Sequence, residues 1–254
     1  MRPFSFNKNR TVSSLYITGS NYVDINSSLN VLSSTTMGTI SCWVKFNQYI
    51  PNTNNHLIAF GDTNGVEYLR LFQRNTFGTI RVDLYQGGST KWGSETNLAI
   101  SSSQWYHIAI TQDGAGGTNN TLYINGTEPS MTYSGTNKGN WFSVLTNVDN
   151  GRVGCININN LGNVANLDGN VTDVSFFNRD LSSSEIIDMY NNGVPKDESG
   201  REGLIAYYRP GQGQGDNWNI DNTNEWTFID QSINNNSGFT SGAAFLDIQN
   251  DAPG

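Results

Sequence analysis

Long apolar runs are missing from these 254 residues, and none approaches the ~18 consecutive apolar residues of a membrane span. The amino-terminal MRPFSFNKNRTVSSLYI also lacks the apolar stretch of a secretory signal. Charge is scarce: 14% of residues are charged, where ~25% is usual. Basic residues are the smaller part of it, 14 Lys and Arg against 22 Asp and Glu, for a net charge of −8. Nucleic-acid binding needs a basic footprint, and that shortage excludes it. Two histidines and two cysteines, so spaced, suggest no zinc site. The glycine-rich GQGQGDN has neither the Lys-Ser/Thr ending nor the strand-to-helix frame of a phosphate loop. Cys42 and Cys155 sit in the strand-like runs SCWVKF and RVGCINI. Two buried free thiols are the expectation, and one inter-strand bridge is the alternative.

What is present is aromatic mass, 12 Phe, 11 Tyr and 6 Trp, in a chain long enough to bury a core without disulfide or metal. The polar surface must come from Asn, Ser, Thr, Gly and Gln, which favour turns over long helices. Strand signals recur at short spacing between Gly/Asn/Ser/Asp clusters, the rhythm of a sandwich or barrel. The clearest are Tyr22–Ile25, Thr39–Phe46, His56–Phe60, Val66–Arg74, Thr79–Tyr85, Tyr106–Thr111, Thr121–Ile124, Gly151–Ile156 and Asn170–Phe177. One helix is expected: Ser182 to Glu185 is a capping box, Ile186, Met189 and Tyr190 form an apolar stripe, and Gly193 and Pro195 end it.

Side chains alternate between faces along a strand. In the pair Val66–Arg74 and Thr79–Tyr85 this sends Leu69, Leu71, Ile80, Val82 and Leu84 to the core. Tyr68, Arg70, Phe72, Arg74, Arg81, Asp83 and Tyr85 then share the outer face. After Pro195 the chain loosens, with strand-like pieces at Gly203–Tyr208, Trp226–Ile229 and Ala244–Ile248. It has too little apolar mass for a core of its own.

The strings GTISCWVKF, WYHIAITQDG, TLYINGT and LDGNVTDVSFFNRDLSSSEIIDMYNNG, in that order after NYVDI, resemble the laminin-G-like domain of the concanavalin A-like lectin/glucanase superfamily over roughly Leu15 to Gly193. The resemblance implies an all-β antiparallel sandwich jelly roll with one short helix and a C-terminal extension. It implies an arm at 1–14, the sandwich at 15–194, and an extension at 195–254 that adds strands to the sandwich or docks on a partner. Trp43, Trp105, His107 and Tyr123 fall on structural core positions of the family pattern. The tail string GLIAYYRPGQGQGD resembles the segment that usually opens such a domain. A module of this kind ending in such a tail is also similar to bacteriophage virion proteins of lectin-like type.

Relatives of this superfamily that hydrolyse glycosides need two carboxylates flanking the bond. The Glu-x-Asp-x-x-Glu type of string that places them is absent, and His56 and His107 are the only histidines, so no enzyme activity is expected. No cofactor is required on this reading. Calcium suits carboxylate and carbonyl ligands, with Asp24 and Asp173 as first candidates on strands expected to lie near each other, and Asp62 and Asp113 as second. For each of the four, a merely solvated carboxylate is an equal alternative. A carbohydrate platform needs aromatic faces ringed by polar groups. Tyr68, Arg70, Phe72 and Tyr85, with Trp92 and Trp141 in loops, are the candidates. Phe72 and Trp141 packed under loops, or a protein contact on the same face, are the alternatives. The expected function is a non-enzymatic lectin-like module recognising glycan or a surface protein on a virion or other extracellular assembly. A capsid decoration or fibre component without sugar specificity, including a homo-oligomer, stands beside it, and a glycan hydrolase is third.

Overall fold

The structure is a computed structural model that describes residues 13–48, 53–116, 120–219, 225–241 and 247–253. Residues 1–12 of the expected 1–14 arm and most of the strand expected at 244–248 lie outside these, while Ser14 already belongs to the first strand. In chain order the elements are β1 (Ser14–Ile17), β2 (Tyr22–Asp24), α1 (Asn26–Leu32), β3 (Gly38–Phe46), β4 (Asn55–Gly61), β5 (Tyr68–Gln73), β6 (Ile80–Gln86), β7 (Ser89–Thr96), β8 (Trp105–Gln112), β9 (Thr121–Ile124) and β10 (Met131–Gly135). There follow β11 (Asn150–Val153), β12 (Ile156–Asn157), β13 (Asn163–Val164), β14 (Gly169–Phe177), α2 (Ser183–Tyr190), β15 (Leu204–Tyr208), β16 (Asn217–Asn219), β17 (Glu225–Phe228), β18 (Gly238–Ser241) and β19 (Ile248–Gln249).

Among the described residues, two antiparallel sheets face each other. The smaller runs β19-β1-β14-β3-β8-β9, with β15 also pairing β14. The larger runs β10-β7-β6-β5-β4-β11-β2-β18-β17-β16. Alternation decides what fills the gap: Ile40, Cys42, Val44 and Phe46 of β3 meet Leu69, Leu71, Val82 and Leu84 of β5 and β6, and all are fully buried. At ~25 cal/mol per Å², this continuous apolar layer is what holds the sheets together. Both cysteines are free and buried, and burial pushes each thiol up to about 12.

A second, smaller cluster lies on the outer side of the smaller sheet. There α2 lays Ile186 and Met189 over Ala109, Tyr123, Phe177 and Leu181. Trp43, opposite in phase to Cys42 and Val44, belongs on this outer side, where it stacks on Tyr190 at 5.8 Å. The tail from β15 onward closes on the same chain: β15 pairs β14, β18 pairs β2, and β19 pairs β1. Beside the expected helix there is a second, α1, seven residues long and without a side-chain cap.

Candidate functional site

The outer face of β4 to β7 is built by register. Tyr68 pairs with Tyr85, Arg70 with Asp83, and Phe72 with Arg81. Arg81 in turn faces Glu95, and Asp83 faces Gly93. The Tyr68 and Tyr85 rings lie 5.3 Å apart and within 16° of parallel. The Arg70 guanidinium sits 4.4 Å from the Tyr68 ring and 4.5 Å from the Phe72 ring, and Phe72 stacks on His56 at 5.2 Å. The result is one stack of five side chains, Tyr85, Tyr68, Arg70, Phe72 and His56. It is half-exposed at the Tyr85 end and closed at the His56 end. Cation–π contacts of this kind contribute ~0.5–2 kcal/mol each.

Carboxylates lock the stack. Arg70 Nε donates to Asp83 Oδ1 at 2.8 Å, and Arg81 Nε donates to Asp83 Oδ2 at 2.9 Å. Arg81 also reaches Glu95 at 3.2 Å and Ser134 at 3.2 Å, and Arg74 reaches Glu95 at 3.0 Å. This crossing is open because residue 93 is glycine: a Cβ there would fall 2.7 Å from Arg81 Nη2. Burial alone would raise the Glu95 carboxyl, but the bonds from Thr79, Arg74 and Arg81 outweigh it and hold it below the usual carboxylate range. Burial pushes the Tyr68 hydroxyl up. For His56 burial first, then the Arg70 charge, take its pKa to about 3, so the ring is neutral.

The face therefore assembles Tyr68, Arg70, Phe72 and Tyr85 as the alternation requires, but Phe72 is buried beneath Arg70, at 2% exposure. Trp92 and Trp141 do not join them. The string STKWGSET is strand β7, not a loop, and Trp92 turns inward opposite Leu84. It stacks within 13° of Trp141, donates from Nε1 to the Asn140 carbonyl at 2.8 Å, and both indoles are buried. Glu95 of β7 and Ser134 of β10 complete the polar frame; neither was among the expected site residues, Glu95 because the glycine in β7 hides that strand's alternation.

The core positions also sort differently. His107 is buried, holds Ser41 Oγ at 2.8 Å, and burial takes its pKa to about 3. Tyr123 is buried in the cluster under α2. Trp105 is only half-buried: Lys45 lies 5.7 Å from its ring, and its Nε1 donates to Asp251 at 3.0 Å.

Asp24 and Asp173, expected near each other as calcium ligands, lie in different sheets, β2 in the larger and β14 in the smaller. Each already faces a guanidinium, Asp24 that of Arg152 at 3.1 Å and Asp173 that of Arg209 at 3.0 Å, so they do not form one cation site. Asp173 occupies a β-bulge at φ +49° and also accepts from Tyr207 Oη at 2.5 Å. Burial raises its carboxyl above the ordinary range, although the Arg209 charge and the bonds from Tyr207 and Thr172 pull it back. Asp62 and Asp113 accept from backbone amides of their own turns, those of Asn64 and Ala115. Among the described residues no three His, Cys, Asp or Glu side chains gather as a metal cluster, and no helix is long and apolar enough to cross a membrane.

Two facing antiparallel sheets, one bearing a polar and aromatic outer face, define a concanavalin A-like jelly-roll sandwich. The chain belongs to the concanavalin A-like lectin/glucanases superfamily, whose laminin G family model matches residues 18–187. Among solved structures it is similar to a protein of Bacteroides ovatus assigned to carbohydrate binding, with 15% identity and a TM-score of 0.64, over 96% of this chain and 61% of that one. It therefore spans about 61% of that relative's length. It is also similar to the CBM40 module of the Ruminococcus gnavus IT-sialidase, with 16% identity and a TM-score of 0.60, over 73% of this chain and all of that one. A third likeness is to a heptameric pentraxin of Limulus polyphemus, with 14% identity and a TM-score of 0.51, over 72% of this chain and 83% of that one. At these identities the likeness is one of fold. No curated protein matches the chain.

Proposed function

We propose that this chain is a non-catalytic, lectin-like module that binds glycans through the outer face of β4 to β7. The observation that carries the reading is the half-exposed row of Tyr85, Tyr68 and Arg70, set rigidly by Asp83 and Glu95. Rings and a guanidinium edge locked in place beforehand offer apolar surface and hydrogen bonds at little entropic cost. Two similar structures support the reading: one protein is assigned to carbohydrate binding, and the CBM40 module was solved with α2,3-sialyllactose bound. The carboxylates of this face are held by arginines and both histidines are buried and neutral, which favours binding over acid–base chemistry. We place the module on a virion or other extracellular surface, where glycans are displayed.

A glycan array, run with calcium and again with a chelator, tests this. Specific binding is expected, with Tyr68→Ala weakening it about tenfold, which is ~1.4 kcal/mol. Equal binding with and without calcium is the expected pattern, since Asp24 and Asp173 are neutralised by arginines. Failure of the folded protein to bind any glycan in either buffer would sink the lectin reading and leave assembly through protein contacts.

A further inference from the structure

The larger sheet has a second polar and aromatic region on the same outer face, and the tail builds half of it. Where β2 meets β18, a hollow of about 330 Å³ opens between Tyr22, Asp24, Ser27, Glu225, Phe239 and Ser241. Three of these, Glu225, Phe239 and Ser241, come from tail strands β17 and β18. Register sets Phe239 between Asp24 and Thr227, pointing outward, and the residue is 48% exposed. The chain thus keeps a large aromatic surface in water at a place where no packing requires it.

The other wall is fixed beforehand. Arg152, itself buried, lies 5.1 Å from the Tyr22 ring and pairs with Asp24 at 3.1 Å. Asn26 donates to both Asp24 oxygens, from its backbone amide at 2.8 Å and its side chain at 3.1 Å. Asp24 is therefore held in one orientation while a third of its side chain stays open to solvent. Across the hollow, Glu225 has no ion-pair partner among the described residues. Two carboxylates against one guanidinium leave this region acidic, whereas around the stack Arg70, Arg74 and Arg81 outnumber Asp83 and Glu95.

We propose that this hollow is a second sugar subsite, specific for a saccharide unit without an acidic group and tightest for one carrying a free amine. Phe239 stacks on the sugar's C–H face, Asp24 and Glu225 accept from its hydroxyls or its ammonium, and a carboxylated sugar is repelled. The inference rests on the lectin reading. From β5 to β18 are four strand steps, roughly 19 Å at ~4.8 Å each, so a disaccharide is too short to occupy the stack and the hollow together.

Binding by calorimetry at low salt, with a glucosamine disaccharide and with sialyllactose as probes, tests it on wild type, Phe239→Ala, Glu225→Gln and Tyr68→Ala. Phe239 and Glu225 both reach solvent, and a thermal melt confirms that the variants fold. The expected result is that wild type binds the glucosamine disaccharide, that Phe239→Ala and Glu225→Gln each weaken it about tenfold, and that Tyr68→Ala weakens it less than either. Unchanged affinity in both tail variants, or stronger binding of sialyllactose that Phe239→Ala reduces, overturns the subsite while the lectin reading stands. If only Tyr68→Ala weakens the disaccharide, the sugar sits on the stack and the subsite is again refuted. Absence of binding to either probe refutes the subsite, and the glycan array then decides separately whether the lectin reading falls with it.

Discussion

Asp173 shows how much one buried charge can organise. It sits in a bulge at positive φ, a conformation that costs a non-glycine residue energy. Its carboxylate gathers Tyr207 of β15 and Arg209 just past the end of that strand. Removing one partner of a buried pair leaves an uncompensated charge and costs ~3–5 kcal/mol. Arg209→Ala is therefore expected to lower unfolding free energy by about that amount in urea titrations, and Asp173→Leu/Arg209→Met to recover most of it. A loss under 1 kcal/mol in the single variant would show that Asp173 is neutral in the fold and not held by the pair. The pair was out of reach of sequence reading, because a bulge shifts the very alternation by which a strand is read. Leu69, Leu71, Val82 and Leu84 could be assigned inward and Tyr68, Arg70 and Tyr85 outward because β5 and β6 keep their alternation for their whole length. Trp92 could not, since its flanking glycines imitate a loop.

Among elements, the start of α2 was legible to the residue, whereas its end falls at Asn191, in the left-handed conformation, two residues before the expected Gly193. Ser182 accepts from the Glu185 amide, and Glu185 accepts from the Ser182 amide at 2.9 Å. Arg179 adds a charged bond at 2.5 Å, and these partners lower the Glu185 pKa from 4.5 to about 2. A carboxyl depressed by folding contributes stability that is complete above its unfolded pKa and is lost as pH falls through the folded one. The loss from this group should run from pH 4.5 down to about 2. Glu185→Gln should flatten the acid limb of a stability–pH curve in that window, and an unchanged limb would mean the box is not formed in solution. By contrast α1, with serines and asparagines and no capping side chain, carries almost no local helix signal. It stands because Leu32 reaches the main core and Ser28 bonds back to Ile25. The expected strands at Gly203–Tyr208 and Trp226–Ile229 are there as β15 and β17, but which strands they join depends on distant partners.

At the scale of the molecule, the family strings announced a sandwich and the family match bears that out. They left open whether the tail adds strands or docks on a partner; it adds strands to both sheets, beside β14 and beside β2. Local composition says only that such a segment cannot fold alone. Docking in cis is what turns Phe239 and Glu225 from tail residues into one wall of a hollow.

The pairing of β1 with β19 has a mechanical consequence. Ser14 sits opposite Gln249 and Leu15 opposite Ile248, so both ends of the described chain leave from the same corner of the smaller sheet. Tension between those ends acts across the strands and breaks their hydrogen bonds one after another, as a zipper opens. The contacts of Asp251 with Lys45, Trp105 and Ser14 give way first. Pulled by its two ends in an optical trap, the module should yield at low force by peeling β19 and then β1. A single high-force rupture would mean that the load reaches the strands along their length. A tether attached at that corner would make this a clasp that releases under load while the opposite sheet, with its outer face, is still folded.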